Sequence, residues 1–195
     1  MGFMRIQRKQ DERIAHACTH NLADIPNGVT VCVADLTPGV PLREGSAIGP
    51  DEAGLYHLVK TAKVTEAATA TATAYKVAKG HHFKVGDFVM AKAGAKAYAI
   101  TAIDTTQATH DTITVGTTLG EAVAVGSALT QAKAESAATT SAFKYAPVAV
   151  CGDSYDVEAL NNTPVAAVTF GQFKAALCPA VSDEIKAALP TVKFI

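Results

Sequence analysis

Residues 87–104 read DFVMAKAGAKAYAITAID and carry the clearest structural pattern in the chain. DFVMAK and AYAITAID are rich in the β-branched and aromatic residues that strands favour, whereas AGAK has the small residues of a tight turn. The stretch therefore predicts a strand, a tight turn and a second strand.

The flanking sequence continues as short strands separated by turns. After a polar loop, TTQATHD, a strand is predicted in TITVGTTL, and a further turn and short strand follow in EAVAVGSALTQA. Before it, LYHLVKTAKV has a β-branched, alternating pattern. EAATATATAYKV places Thr69, Thr71 and Thr73 at every second position, which favours a strand over a helix. Such spacing is typical of a small antiparallel β-barrel or sandwich, predicted here over residues 55–133.

Two adjacent histidines, His81 and His82, lie within this module in the segment KGHHFKVGDFV. Adjacent residues of a strand point to opposite faces, so the pair is poorly placed to hold one ion. Gly86 is expected to supply a backbone angle that other residues resist. The pattern predicts a corner of the barrel with two partly exposed imidazoles rather than a reactive site.

Residues 1–54 are predicted to form an extended N-terminal segment with one strand, at 29–34. The stretch 37–50, TPGVPLREGSAIGP, contains several proline and glycine residues and has no helical period. It predicts an ordered loop or an extended arm, and flexible arms can order on binding and wrap a surface.

The C-terminal part, residues 146–195, is predicted to be α+β and to follow a polar linker at 134–145. APVAVCG, TPVAAVTFG and TVKFI indicate strands, whereas GQFKAAL and SDEIKAAL indicate two short helices. Ser182 is a good N-cap for the second helix, which has acidic residues in its first turn.

These elements predict a mainly β protein with a small α+β part. The terminal strand is expected to share a sheet with the strands near 148 and 165, completed by the strands that begin at 29 and 55. The small antiparallel barrel or sandwich is then inserted before a C-terminal sheet that carries the two short helices.

Composition argues against several classes of function. The formal net charge of the 195-residue chain is −1, no basic block suggests nucleic acid, and no apolar run approaches a membrane span. With no tryptophan and 6% aromatic residues, anchors for a deep ligand pocket are scarce. The opening MGFMRIQRKQDER lacks the apolar core of a signal peptide, so a soluble protein made in the cytosol is expected, with four free, mostly buried cysteines.

One segment has the residue types of a metal site. His16, Cys18 and His20 would share a face of an extended strand, although a fourth ligand would have to come from elsewhere. No nucleophile elbow, P-loop, dinucleotide-binding glycine pattern or zinc-protease motif is present. We therefore assign no catalytic, cofactor-binding or metal-ligating residues and no cofactor, and we expect a protein that is not an enzyme.

One resemblance carries further information. The "KGH-F-VGD" corner, the "A-x-x-I-T-x-I-D" strand and the "D-x-I-T-V" strand with its Leu-Gly turn resemble barrel modules in structural proteins of tailed-phage heads. PVAVCGDSYDVEAL, the acidic-capped helix DEIKAALP and the final strand TVKFI are similar to head decoration and head fibre proteins. Together these features span roughly residues 55–195, and their order is more telling than any single motif.

The resemblance implies a phage or prophage virion protein attached to the capsid exterior, non-catalytic, present in the host cytoplasm before assembly. Its implied partner is the major capsid protein, and a homo-oligomer is expected because capsid proteins assemble by symmetry. Nucleic acid and membrane are not expected partners. The familiar small decoration proteins are shorter and lack so large a barrel. Two alternatives stay open: a β-rich surface or carbohydrate-binding module, and a metal-dependent enzyme that uses the His16, Cys18 and His20 segment.

Overall fold

The computed structural model describes residues 16–158 and 161–195. Within these ranges the chain forms fourteen strands and one short helix. In chain order the elements are β1 (Cys18–Asp24), β2 (Val29–Val31), β3 (Ala47–Pro50), β4 (Tyr56–Leu58), β5 (Thr61–Lys63), β6 (Ala74–Val77), β7 (Phe88–Met90), β8 (Ala97–Asp104), β9 (Asp111–Val115), β10 (Ala128–Gln131), β11 (Ala149–Cys151), β12 (Thr163–Val165), β13 (Ala167–Phe173), α1 (Asp183–Ala188) and β14 (Val192–Phe194).

The large sheet has eight strands and draws on both the N-terminal and the C-terminal parts of the chain. Its order is β1-β13-β11-β3-β4-β2-β12, and β14 also pairs with β13. Neighbours are antiparallel except β2 with β4 and β13 with β14, which are parallel. The strands predicted near 29, 55, 148 and 165 and at the C-terminus therefore do share one sheet, as expected.

The small sheet has six antiparallel strands in the order β5-β10-β7-β8-β9-β6, all from the chain between β4 and β11. It includes the predicted strand, turn and strand of residues 87–104, in which Phe88 pairs with Ala99. The sheet curls into a half-barrel, and its edge strands approach each other at an isolated bridge between Val64 and Val77. The mainly β prediction is therefore confirmed, with one of the two sheets strongly curled.

The inside of the curl forms one hydrophobic core. In β9 the residues Asp111, Ile113 and Val115 are buried while those between them are partly exposed, which is the alternation expected of a strand with one face inward. The fully enclosed members of this core include Val64, Tyr75, Val77, Val89, Ile113 and Leu129.

The large sheet is covered on both faces. Ala47 and Ile48 are adjacent in β3 and therefore point in opposite directions. Ile48 packs in a cluster with Leu42 on one face, whereas Ala47 packs in another cluster with Phe173 and Ile185 on the other face. The second face is where the helix lies.

The helix α1 begins as its sequence predicts. The side chain of Ser182 accepts a hydrogen bond from the Ile185 N–H at 3.2 Å, and Asp183 and Glu184 occupy the first turn. Ile185 is completely buried, so one residue of this short helix fixes it to the large sheet. No helix within the described ranges is long and apolar enough to cross a membrane.

Two predicted elements differ from the structure: one forms over only part of its predicted length, and one does not form. The predicted strand in EAATATATAYKV begins only at Ala74, because Thr69 enters a local turn: its carbonyl accepts from the Ala72 N–H at 3.0 Å, and its hydroxyl lies 3.1 Å from that of Thr71. Small alanine side chains give such a segment little to pack across a sheet.

The helix predicted in GQFKAAL does not form. Residues 171–173 instead continue β13, where Phe173 is fully buried and pairs with both β1 and β14. Only residues 174–178 turn back on themselves, through bonds from the Leu177 and Cys178 N–H groups to the Lys174 carbonyl. Burial of a large aromatic side chain outweighs local helix propensity here.

The N-terminal segment is more structured than its irregular sequence suggests. Within 1–54, the structure describes residues 16–54, which contain three strands where one was predicted, and residues 1–15 lie outside the described part. The proline- and glycine-rich stretch 37–50 lies against the large sheet and ends as β3 in its middle. It is an ordered loop that leads into a central strand.

Candidate functional site

The two sheets are joined by a two-residue connection, Val59 and Lys60, between β4 and β5. We call the polar groups around this connection the junction. Lys60 is 2% exposed, and its Nζ donates to Asp87 Oδ2 at 2.8 Å. Because an unpaired charge is costly in a low-dielectric interior, the buried ammonium needs this carboxylate.

Asp87 binds three groups at once. In addition to Lys60, its Oδ1 accepts from Gln131 Nε2 at 2.9 Å and its Oδ2 accepts from the Lys84 N–H at 2.9 Å. Burial lowers the pKa of Lys60, and the attraction of Asp87 opposes that effect only in part. One carboxylate thus connects the inter-sheet connection, the corner before β7 and the end of β10.

A second set of contacts lies on the large-sheet side of the junction. The His57 ring stacks on Tyr145 with 4.1 Å between centroids and 8° between planes. His57 Nε2 lies 3.2 Å from Asp51 Oδ2, and the Tyr145 hydroxyl donates to Asp35 Oδ2 at 3.3 Å. Lys144 Nζ lies 3.6 Å from the same oxygen of Asp35.

The charge states of this set are complementary. Burial alone would raise the pKa of Asp35, but Lys144, Lys60 and the Tyr145 hydroxyl together hold it below its usual value. Burial and the neighbouring Asp35 raise the pKa of Tyr145 strongly. At neutral pH the pair is therefore a carboxylate and a neutral phenol, which can donate to it.

The His57 and Asp51 pair is similar in form to the base and its orienting group in hydrolases, which also need a nucleophile at the second ring nitrogen. His57 Nδ1 is buried without a hydrogen-bond partner, and Asp35 Oδ2 lies 3.6 Å away. Among the described residues, no hydroxyl or thiol hydrogen-bonds to either ring nitrogen. Within the described residues, the pair therefore has the form of a base and its orienting group without a nucleophile beside it.

The prediction of partly exposed imidazoles at His81 and His82 is wrong. The His81 side chain is 6% exposed, and His82 is equally buried. His82 Nδ1 accepts from the Thr37 N–H at 3.2 Å, and its Nε2 lies 3.3 Å from the Pro41 carbonyl oxygen. The loop before β3 covers the corner of the small sheet, and no pattern within the barrel sequence reveals that cover.

His81 and His82 do not lie in a strand, and His81 has a hydrogen bond of its own. Its Nδ1 accepts from the Phe83 N–H at 3.2 Å, and its Nε2 lies 3.5 Å from Asp111 Oδ2 without forming a hydrogen bond. Burial lowers the pKa of His81, and burial lowers that of His82 further, to about 4. The two rings therefore serve as neutral hydrogen-bonding groups at neutral pH.

The low pKa of His82 predicts a pH-dependent stability. Unfolded histidine titrates near pH 6.5, so between about pH 6.5 and 4 the unfolded chain takes up a proton that the folded chain does not. The free energy of unfolding should fall by about 2 kcal/mol from pH 7.5 to 4.5 through this residue alone. Urea denaturation of the wild type and of His82→Gln at pH 7.5 and 4.5 isolates the contribution of His82 to the free energy of unfolding.

His82→Gln should be less stable than the wild type at pH 7.5, and the difference should narrow at pH 4.5. His20→Gln, at an exposed strand position, is the matched control. A difference between wild type and His82→Gln that stays constant over this range would contradict the assignment.

The candidate metal segment does not form a ligand cluster. The strand register shifts between Cys18 and His20, so the simple alternation that would place them on one face is broken. Glu44 instead holds the segment, since its carboxylate accepts from the Ala17 N–H at 2.7 Å and the Cys18 N–H at 2.8 Å. His16 Nδ1 lies 3.6 Å from the same carboxylate. In the part of the chain that the structure describes, no three histidine, cysteine or acidic side chains are grouped for metal binding.

The four cysteines are free, and only Cys151 is fully buried. Burial raises the pKa of Cys18 and Cys151, and it raises that of Cys178 to about 12. Because the thiolate is the reactive form, these three thiols are poor nucleophiles at neutral pH.

A cleft of about 250 Å³ opens between the two sheets, next to α1. Its apolar walls include Leu58, Val59 and Ile185, and its lining also contains both His81 and His82. Residues 79–82 of the corner KGHHF form part of its lining.

Sequence reasoning missed the junction, although a signal for it exists. In LYHLVKTAKV, Lys60 has the same parity as Leu58, Ala62 and Val64, all of which are buried. A lysine on the inward face of an alternating strand pattern implies a buried partner, here Asp87. Nothing in the local pattern points to His57 or Tyr145, which meet across a long separation in sequence.

No family model, curated protein or solved structure matches this chain.

Proposed function

We propose that this chain is a non-catalytic structural protein of a tailed-phage virion, attached to the capsid exterior as a head decoration or head fibre protein. Its partner is the major capsid protein, and its location is the capsid surface after a period in the host cytoplasm. The resemblance of the motif order over roughly residues 55–195 is the origin of the proposal.

The observation that carries the proposal is how the polar side chains are used. Lys60 pairs with Asp87, and His82 accepts from the Thr37 N–H, so these side chains join the small sheet to the large sheet or its loops. His57 and Tyr145 stack on each other on the large-sheet side of the same junction. Ionisable side chains that could take part in chemistry, such as Lys60, Asp87 and His82, thus serve to fix one sheet against the other. A protein that must hold its shape on a shell needs such a junction and needs no reactive centre.

The finer description of the small sheet belongs to the same proposal. We infer that it acts as a closed antiparallel barrel, since backbone bonds join its edge strands: the Thr65 N–H donates to the Lys76 carbonyl at 2.9 Å, and the Ala78 N–H donates to the Lys63 carbonyl at 2.8 Å. Closure leaves no long free edge that would pair with other chains at random.

A surface for self-association supports the expected homo-oligomer. β1 is an edge strand of the large sheet with mostly exposed residues. It presents Leu22, 63% exposed, next to Phe170 of β13, 46% exposed. Exposed apolar side chains at a strand edge favour pairing with a second copy of the same surface.

The alternatives have less support. A carbohydrate-binding module would present aromatic faces, and among the large apolar side chains that are most exposed in the described ranges only Phe170 is aromatic. A metal-dependent enzyme would need His16, Cys18 and His20 to converge, which the shifted register of β1 opposes.

Particles provide the direct test. Phage induced from the source culture and banded on a density gradient should contain this chain in the intact-head fraction, in amounts comparable to those of known capsid components by quantitative mass spectrometry. A host cytosolic protein of similar abundance serves as the contamination control. Absence of the chain from well-populated particles would overturn the proposal.

A further inference from the structure

The lining of the cleft carries charge of one sign. Its charged side chains are Arg43, Lys63 and Lys79, and none of its lining residues is an aspartate or glutamate. The whole chain has a formal net charge of −1, whereas the charged side chains of the cleft are all cationic, so the cleft differs from the chain as a whole in the sign of its charge. Such a cleft attracts anions.

The three cations lie around one stretch of backbone. The Lys63 carbonyl accepts from the Ala78 N–H at 2.8 Å, which places Lys63 beside the strand that leads to Lys79. A Cβ atom built on Gly80 would lie 3.4 Å from a terminal nitrogen of Arg43, so the guanidinium reaches across from the large sheet to this point.

Only one of the three cations is already neutralised. Lys79 Nζ lies 2.7 Å from Asp111 Oδ1 and donates to the Thr105 carbonyl. Arg43 and Lys63 are exposed and form no ion pair with any carboxylate in the described part of the chain. Among the described residues, Arg43 forms no ion pair even though it lines a neighbouring cavity together with Glu44 and Asp153. Two cations are therefore free to bind an anion.

The rest of the lining is aliphatic. Leu58, Val59, Val181 and Ile185 contribute to the walls, and Leu177 is 40% exposed. Leu58, Val59 and Ile185 are already buried, whereas Leu177 and the partly exposed Val181 reach the open part of the cleft. A small inorganic anion would leave Leu177 and Val181 in contact with water, whereas an aliphatic group would cover them. The lining contains no tyrosine or phenylalanine on which a sugar ring could stack.

We propose that the cleft binds a carboxylate that carries an aliphatic group, supplied by an extended acidic segment of the partner protein. The carboxylate pairs with Arg43 and Lys63, and the aliphatic group lies against Leu177 and Val181. A guanidinium offers paired N–H donors that match a carboxylate. The identity of the partner as the shell protein rests on the proposed function, but the ligand chemistry does not.

Sodium hexanoate is the minimal probe of this chemistry. Titrated into the full chain at low salt, it should cause saturable shifts in the methyl NMR signals of Leu177 and Val181, with smaller shifts at the buried Leu58 behind them. Acetate, which lacks the aliphatic group, and 1-hexanol, which lacks the charge, should each bind at least about tenfold more weakly. Equal binding of acetate, or shifts that do not saturate, would overturn the proposal.

Matched double variants test the cations. Arg43→Ala with Lys63→Ala should weaken hexanoate binding about tenfold or more. Lys133→Ala with Lys193→Ala removes the same charge from exposed positions outside the cleft and should leave binding unchanged. Thermal unfolding of the four single and two double variants checks that they fold. Equal weakening by both doubles would show a general charge effect and contradict the site.

A second arm identifies the source of the carboxylate and separates the two proposals. Wild-type chain and the Lys133 and Lys193 double variant should co-sediment with empty shells that lack this chain. The Arg43 and Lys63 double variant should lose most of that binding. Hexanoate should compete with the shells for binding to the wild-type chain. If the Arg43 and Lys63 double variant binds shells as well as the wild type does, the proposal that a segment of the partner protein supplies the carboxylate is overturned. If wild type fails to bind shells while hexanoate still fills the cleft, the proposed function fails and the ligand chemistry stands.

Discussion

Replacing Asp87 with alanine should lower the free energy of unfolding by about 3–5 kcal/mol. The substitution leaves the Lys60 ammonium buried without its carboxylate, and it also removes the acceptor for Gln131 and for the Lys84 N–H. Urea denaturation followed by far-UV circular dichroism measures the loss.

The surface supplies a matched control for this ion pair. Lys76 Nζ lies 2.7 Å from Glu66 Oε2, almost the same distance as in the buried pair, but the two side chains are 43% and 64% exposed. Glu66→Ala should therefore cost no more than about 1 kcal/mol. Adding Lys60→Met to Asp87→Ala should recover part of the loss, because it removes the uncompensated charge. Equal losses for Asp87→Ala and Glu66→Ala would show that burial of the pair has no energetic consequence.

Gly49→Ala should be the second most damaging change, with a loss of about 3 kcal/mol. Gly49 lies in the middle of β3, and a Cβ atom there would overlap the carbonyl oxygen of Ala146 and lie 2.8 Å from its carbon. Both are backbone atoms, which cannot rotate away as a side chain can. The strand or the segment before β11 must therefore move.

Gly116→Ala is the comparison for this substitution. The nearest atom to a Cβ at Gly116 is Thr101 Cγ2 at 3.5 Å, which is ordinary contact, and neither Gly49 nor Gly116 has a positive φ. Its effect should stay within about 1 kcal/mol. Thermal unfolding of the two variants compares the same chemical change at two positions, and similar melting temperatures would contradict the close packing at Ala146.

The small sheet was more predictable from sequence than its surroundings. The strand at 111–115 follows a period-two pattern in which one face is buried, and the strands at 88–90 and 97–104 carry β-branched and aromatic residues around a tight turn. Both signals are visible in the local sequence. The threonine alternation at 69–73 imitates the period-two pattern. The difference is that its intervening residues are alanines, which bury too little surface to hold a strand in place.

The junction and the cover over His82 depend on contacts between distant residues. Tyr145 meets Asp35 across 110 positions, and His82 meets Thr37 across 45. No local period encodes such pairs, so a histidine that is buried by a remote loop looks the same in sequence as an exposed one. Lys60 is the exception, because it alternates with buried residues of LYHLVKTAKV and therefore falls on the inward face of the strand pattern, where a charged side chain must be buried.

The order of strands along the chain also has a consequence for synthesis. All six strands of the small sheet have left the ribosome once Gln131 has emerged, so this sheet can fold while the rest of the protein is still being made. β2 and β3 can pair with the nearby β4, but β1 pairs only with β13, with residues about 150 positions later in the chain. We expect β1 to be the last of these strands to find its partner, which makes it the part of the nascent chain that most needs protection from aggregation.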